Sequence, residues 1–170
     1  MVEHRLGLLD PVFQGLTYAG SFGAIWLVLA VAIAGFSWRR PWLAARVGAT
    51  ILVAESVSGL AKEWIGRDRP PLVDPEPATL VELPHTSSFP SGHATVAFAC
   101  ATAIALAVPR LRWPVFVLAA LIAFSRVYVG VHYPLDVLAG AFLGVGIGFA
   151  VRHAGAAIRT LARVRNRTGP

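Results

Sequence analysis

LTYAGSFGAIWLVLAVAIAGF, residues 16–36, runs for 21 positions without one Asp, Glu, Lys or Arg. A membrane-spanning helix needs about 20 mostly apolar residues, within a range of roughly 17–25. Four more segments meet that length: Trp42–Ile65, Ser91–Val108, Pro114–Val131 and Leu135–Val151. Together they predict an all-α integral membrane bundle of about five transmembrane helices. A single domain, residues 1–170, is expected from the length.

Composition points the same way. The 170 residues are 56% hydrophobic and 14% charged, against about 25% charged in ordinary soluble domains. A soluble fold of this composition would expose large apolar patches, which argues against a soluble enzyme and against a disordered chain. The net charge of +6 comes almost wholly from arginine, with Lys62 the one lysine. Nucleic acid is not the expected partner, because the arginines mark loops of one membrane side. Cys100, the single cysteine, excludes an intramolecular disulfide and reads as a small packing residue.

Arg39, Arg40 and Arg46 fall between the first two spans, and Arg110 and Arg112 between the third and fourth. Arg152, Arg159, Arg163, Arg165 and Arg167 follow the fifth. An excess of basic loop residues marks the cytoplasmic side. The N-terminus and the two remaining loops are then extracytoplasmic, in a multi-pass protein of the plasma membrane. Trp38, Trp42, Trp64 and Trp113 fall at the predicted interfaces. The opening stretch holds Glu3 and Asp10 ahead of a late apolar run and is not expected to be a signal peptide. Asp10-Pro11 reads as an N-cap and first helical position, and Val2, Leu6, Leu9 and Phe13 recur at helical spacing. A short interfacial helix is expected there. The basic tail, residues 152–170, reads as a solvated topology anchor.

Gly140, Gly144 and Gly148 repeat every four residues, a stripe that lets helices approach closely. Asp136 extends the stripe by one turn, so it faces the bundle. Other charges gather at the same level: Lys62 and Arg69 after the second span, Ser91-Gly92-His93 at the start of the third, Arg126 at the end of the fourth, and His132 before the fifth. Charges at membrane depth are costly and mark functional sites. Lys62, Arg69 and Arg126 suit phosphate oxygens, which Arg holds bidentately. The Ser91-Gly92-His93 turn opens a helix, whose free N–H groups favour an anion. Asp136, four residues after His132, can accept an imidazole N–H and leave the other nitrogen nucleophilic. His93 is available as a general acid. Together these groups describe phosphoryl transfer through a phosphohistidine. No carboxylate cluster for a divalent metal accompanies them, so no metal or other cofactor is expected.

Lys62-x6-Arg69-Pro70, Pro90-Ser91-Gly92-His93 and Ser125-Arg126-x5-His132-x3-Asp136 resemble the three-part signature of the type-2 phosphatidic acid phosphatase superfamily, related to vanadium haloperoxidases. The match covers a core of residues 62–136. The resemblance implies a metal-independent lipid phosphate phosphatase in which His132 is the nucleophile, Asp136 orients it and His93 protonates the leaving oxygen. Lys62, Arg69, Ser91, Gly92 and Arg126 would hold the phosphoryl group. Members often have six spans where this sequence offers five, and the missing one precedes the motifs.

Outside the signature, Glu55 lies seven residues before Lys62 on nearly the same helix face. It is expected either to pair with a basic site residue or to hydrogen-bond within the bundle. His85 reads as a solvated loop residue, and Arg67 and Asp68 as a local ion pair. Five prolines in the Gly66–Phe89 loop disfavour a long helix. The expected substrate is a membrane lipid phosphate, with polyprenyl pyrophosphate favoured because an outer-face site suits carrier-lipid recycling. Phosphatidic acid, phosphatidylglycerol phosphate and a lipid-linked sugar phosphate also fit. A non-catalytic lipid-phosphate binding or transport protein is the competing class.

Overall fold

The computed structural model describes residues 7–36, 40–76 and 78–168, with side chains through residue 155. The described residues form helices only: α1 Asp10–Ala19, α2 Ala24–Phe36, α3 Trp42–Ile65, α4 Pro70–Val73, α5 Gly92–Ala107, α6 Arg112–Tyr128 and α7 Pro134–Thr168. Short 3-10 turns at Gly7–Leu9, Ser21–Gly23 and Pro109–Leu111 join them.

The Ala-rich helix α5 forms the axis of the bundle. It packs most extensively on α7, then on α6 and α3. Eleven of its sixteen residues are buried, including Cys100 and Ile104. Its small residues allow this, because a narrow helix brings three neighbours within packing distance at once. The glycine stripe of α7 supplies the closest of these contacts. A Cβ on Gly140 would stand 2.6 Å from the Ser91 carbonyl oxygen, and one on Gly148 would stand 2.6 Å from Thr102 Cβ. A Cβ on Gly144 would run into the Thr95 carbonyl oxygen.

All five predicted segments form helix, and they differ in length and continuity. Three helical stretches are long and apolar enough to cross alone: Trp42–Val73, Pro109–Tyr128 and Pro134–Gly155. The residue 16–36 run breaks between α1 and α2, which meet at a 58° bend, the geometry of a broken span or a re-entrant loop. Phe22 (φ 53°) and Gly23 (φ 68°) adopt left-handed backbone conformation at the break. Hydropathy does not register a backbone turn made entirely of apolar and small residues. The fifth element, α5, has 16 residues, about 24 Å at 1.5 Å per residue. Enclosed by protein, it need not match the thickness of the hydrocarbon.

Helix α1 docks on α6. The Phe13 ring stacks on Tyr128 at 4.2 Å, and the hydroxyls of Thr17 and Ser125 lie 2.7 Å apart. Asp10 is the first residue of α1 rather than its N-cap, which is Leu9. Its carboxylate accepts from the Tyr128 hydroxyl at 2.8 Å. Val2 and Leu6 lie outside the described residues. The Gly66–Phe89 loop contains only the four-residue α4, in keeping with its prolines. The basic tail continues α7 as helix to Thr168 instead of forming a separate segment. Arg152 donates to the Leu106 carbonyl at 2.8 Å. Trp38, Arg39 and the side chains of Arg159, Arg163, Arg165 and Arg167 lie outside the description.

The two ends of the bundle differ in character. At one end Arg40, Trp42 and Arg110 line a cavity of about 690 Å³ with Ile33, Phe36, Val108 and Leu111, so the predicted basic loops meet there. Trp42, Trp64 and Trp113 are exposed, as residues of an aromatic belt are. The other end collects the polar residues described below. The packing makes a direct prediction. Gly144→Ala should lose about 1–3 kcal/mol through overpacking, whereas Gly146→Ala, with nothing within 4 Å of its added Cβ, should not. Thermal unfolding of the two variants in detergent micelles checks this.

Candidate active site

Four chain segments converge beneath the Gly66–Phe89 loop. Gly66 ends α3 in left-handed conformation (φ 64°), with its N–H bonded to the Lys62 carbonyl. That turn leaves the Lys62 side chain at the helix end and reverses the chain into Arg67 and Arg69. The loop is fixed from both sides. Ser88 N–H donates to the Arg67 carbonyl at 2.8 Å, and Leu80 N–H to the Val129 carbonyl at 3.2 Å. Ser91 caps the start of α5, Arg126 sits in the last turn of α6, and His132 lies in the connection before α7.

One cavity of about 330 Å³ joins these pieces. Lys62, Arg69, Gly92, His93, Arg126 and His132 all line it. These are six of the eight residues singled out from the sequence. The other two stand just behind: Ser91 and Asp136 are fully buried. The Ser91 N–H donates to the Asp136 carbonyl oxygen at 3.0 Å, tying the start of α5 to the start of α7.

Arg69 is anchored by the loop. Its Nε donates to the Thr86 carbonyl at 2.8 Å, and its Nη1 to the Val131 carbonyl at 2.9 Å. The same Nη1 lies 3.2 Å from His132 Nε2. Lys62 Nζ donates to the Ser87 carbonyl at 2.9 Å. Arg126 is held less completely: its buried Nε has no hydrogen-bond partner among the described residues, and neither does the Ser91 hydroxyl. Buried donors of this kind are normally satisfied, so both are suited to an oxyanion. His93 Nε2 lies 3.3 Å from the Ser21 hydroxyl at the α1–α2 break.

The histidine–aspartate pair is long, and Ser88 touches both partners. His132 Nδ1 stands 3.5 Å from Asp136 Oδ2. The Ser88 hydroxyl lies 3.4 Å from the same Nδ1 and donates to that same Oδ2. The Tyr133 N–H donates to Oδ2 at 2.9 Å, and Arg67 Nη1 to Oδ1 at 2.7 Å. Arg67 also covers the Tyr133 ring at 4.4 Å. Its partner is therefore Asp136, not the neighbouring Asp68, because the loop folds Arg67 back over the start of α7. Arg69 donates into Nε2, so the ring proton belongs on Nδ1 and the Nε2 lone pair meets Arg69, itself a residue of the cavity wall. Burial, joined by the Arg69, Arg126 and Lys62 charges, pushes the His132 imidazole down to about 4 against the pull of Asp136. The ring is neutral at physiological pH.

Thr86, Ser88 and the Arg67–Asp136 pair were not legible in the sequence. Thr86-Ser87-Ser88 reads there as an ordinary polar loop, and nothing local marks a partner 48 residues away. Its only signal is its position directly before Pro90-Ser91-Gly92-His93. His85 is exposed, as expected. The Glu55 carbonyl accepts from the Ser58 hydroxyl at 3.2 Å, while its carboxylate forms no ion pair or hydrogen bond among the described residues, and the residue lines the cavity on the face of α3 that carries Lys62. Among the described residues no cluster of three metal-ligating side chains occurs.

Comparison with known proteins identifies the family. The sequence profile of the PAP2 superfamily matches residues 23–159. The decaprenylphosphoryl-5-phosphoribose phosphatase of Mycobacterium tuberculosis is 41% identical over 156 residues, 89% of this chain and 82% of that protein. The undecaprenyl-diphosphatase of Sulfolobus acidocaldarius is 32% identical, over 74% of this chain and 61% of its own. The crystal structure of a transmembrane PAP2-type phosphatidylglycerolphosphate phosphatase from Bacillus subtilis superposes with a TM-score of 0.76 at 32% identity, covering 92% of this chain and 81% of that one. The chain belongs to the PAP2 superfamily and is a multi-pass membrane lipid phosphatase.

The His132 environment predicts a pH dependence of stability. Between about pH 6.5 and 4 the unfolded chain binds a proton that the folded chain does not. Stability therefore falls as pH drops through that window, with a slope of up to about 1.4 kcal/mol per pH unit. His132→Asn should remove this part of the slope. Melting temperatures of both proteins across pH 4–7 measure it.

Proposed function

We propose that this PAP2 phosphatase removes the terminal phosphate from a polyprenyl-linked phosphate or pyrophosphate at the extracytoplasmic face of the plasma membrane, through a phosphohistidine on His132. One observation carries the chemistry: Lys62, Arg69 and Arg126 line the same cavity as two histidines, one of them with its Nε2 3.2 Å from the Arg69 guanidinium. A site for binding alone needs the cations but not the histidines, which argues against a non-catalytic carrier.

In this reading the phosphoryl oxygens lie among Lys62, Arg69, Arg126, the Ser91 hydroxyl and the free N–H groups at the start of α5. His132 Nε2 attacks phosphorus in line. The bond to the leaving oxygen breaks, and protonated His93 gives that oxygen its proton. Water then attacks the phosphohistidine, His93 takes back a proton, and inorganic phosphate leaves. Positive charge on the phosphorylated ring is met by Asp136 through the Ser88 hydroxyl, which makes Ser88 a positioning residue. Arg67 and Tyr133 N–H hold the carboxylate from its other sides. Charge developing on the phosphoryl oxygens falls within reach of cations already in place, the arrangement that stabilises such transition states most.

The polyprenyl substrate class rests on two relatives whose names specify polyprenyl phosphates, one of them 41% identical over 89% of this chain. Phosphatidic acid or phosphatidylglycerol phosphate is the second reading, favoured by the likeness to the Bacillus subtilis enzyme. The outward orientation rests on the basic loops at the opposite end of the bundle.

Arg126→Ala should lower kcat by about 10²–10³, the usual cost of losing one oxyanion donor. Arg126→Lys, which keeps the charge but not the planar fork, should recover only part. Phosphate release from farnesyl phosphate measures both, with His132→Ala setting the background. If Arg126 only met lipid heads at the interface, Lys would behave as wild type.

Orientation is tested separately by labelling in intact cells with Cys100 replaced. A cysteine at exposed Glu82 should react with a membrane-impermeant maleimide, and one at exposed Pro109 should not. The reverse pattern would place the site in the cytoplasm.

A further inference from the structure

The inner face of α1 carries a polar stripe that continues into the break after it. Gln14, Thr17 and Ser21 follow one another at helical spacing, and each meets a different part of the site. Gln14 Nε2 donates to the Leu80 carbonyl of the loop at 2.7 Å. The Thr17 hydroxyl lies 2.7 Å from that of Ser125, the residue before Arg126. The Ser21 hydroxyl lies 3.3 Å from His93 Nε2, and both residues line the cavity. The backbone is shaped for this last approach. Left-handed Phe22 and Gly23 follow directly on Ser21. A non-glycine residue in that conformation is strained and persists where its surroundings fix it, often beside a functional group. Gly20 carries no Cβ where one would press on Ile122 Cγ2 at 2.6 Å and stand 3.5 Å from His93 Cδ2. The Cδ2–Nε2 edge of the His93 ring therefore lies against the break, and Nδ1 is on the other edge.

Donors and acceptors at the break set the tautomer. Ser21 Oγ donates to the Thr17 carbonyl at 3.2 Å. A hydroxyl has one proton and two lone pairs, so toward His93 it accepts. The Thr17 carbonyl also acts on the His93 ring as a hydrogen-bond acceptor. Both acceptors call for a ring proton on this side, which is Nε2–H. Resting on the phosphatase reading above, in which His93 is the acid, we propose that Ser21 is a positioning residue that holds Nε2–H of His93 and leaves Nδ1 as the nitrogen that exchanges a proton with the substrate. In the first step Nδ1 of the imidazolium gives its proton to the leaving oxygen as the bond from that oxygen to phosphorus breaks. The ring is left neutral, with its remaining proton on Nε2. In the second step Nδ1 takes a proton from the water that attacks the phosphohistidine. Ser21 keeps Nε2–H through both steps and touches no reacting atom. Proton transfer requires the acid within hydrogen-bond reach of the oxygen it serves, and a ring without this anchor spends less time there.

Loss of an acid is felt according to the leaving group, whereas a general structural defect is not. Purified full-length protein in detergent is therefore assayed on two phosphomonoesters. The alkoxide of farnesyl phosphate needs a proton to leave, and the phenolate of para-nitrophenyl phosphate does not. In Ser21→Ala the ratio of farnesyl to nitrophenyl kcat/KM should fall about tenfold below wild type, the weight of one hydrogen bond. Ser21→Thr keeps the hydroxyl and should retain most of the ratio. His93→Ala should lower the same ratio by about 10²–10⁴, the usual contribution of a general acid. Equal losses on both esters in Ser21→Ala, with His93→Ala still selective, overturn the proposal and leave the phosphatase reading intact. Equal losses in His93→Ala overturn the acid role itself. Side-chain nitrogen NMR of isotope-labelled histidine, with His93 assigned through His93→Gln, reads the tautomer directly. At a pH where the ring is neutral, Nε2–H is expected, and Nδ1–H overturns the proposal.

Discussion

The buried carboxylate of Asp136 is the constraint on which the rest of this site depends. Taking a carboxylate out of water at the edge of a membrane is tolerable only when its oxygens are satisfied. Arg67, Ser88 and the Tyr133 N–H do this from three different directions. Its place in the first turn of α7 adds the favourable end of the helix dipole. Satisfying one side chain thus fixes the loop after α3, the stretch before α5 and the connection between α6 and α7. The Ser91 N–H bond to the Asp136 carbonyl completes the join. His132 is held against this knot, and the orientation of its ring follows from it.

The second constraint is the collection of positive charge beside that knot. Arg69 offsets its burial with carbonyl oxygens of the loop and of Val131. Arg126 and Ser91 keep buried donors without a protein partner. Satisfying those donors inside the protein would stabilise the bundle and leave less for an oxyanion, so in the proposed mechanism a local cost in stability serves the chemistry. The residues of the three-part signature meet in space at and just behind one cavity.

Most of the site was legible because its chemistry is carried by charged residues in an apolar chain. In such a background Lys62, Arg69, Arg126, His132 and Asp136 stand out, and their shared depth follows from the ends of the spans alone. The glycine stripe was legible too, since its four-residue period can only face one neighbour. The break in residues 16–36 was not, because left-handed backbone at Phe22 leaves no trace in hydropathy. Arg67 was assigned to its sequence neighbour because spacing reveals nearby partners and no others.

The sequence by itself determined that this chain spans a membrane as helices and carries the residues of a phosphatase, since composition and spacing alone set the burial of a helix and the order of a motif. Tertiary structure decided which groups touch. Ser88 touches both His132 and Asp136, Arg67 reaches across the loop to the carboxylate, and the α1–α2 break brings Ser21 to His93. These contacts join residues 44, 69 and 72 positions apart. Side-chain partners at such separations are chosen by the packing of whole helices around α5, and no local pattern encodes that.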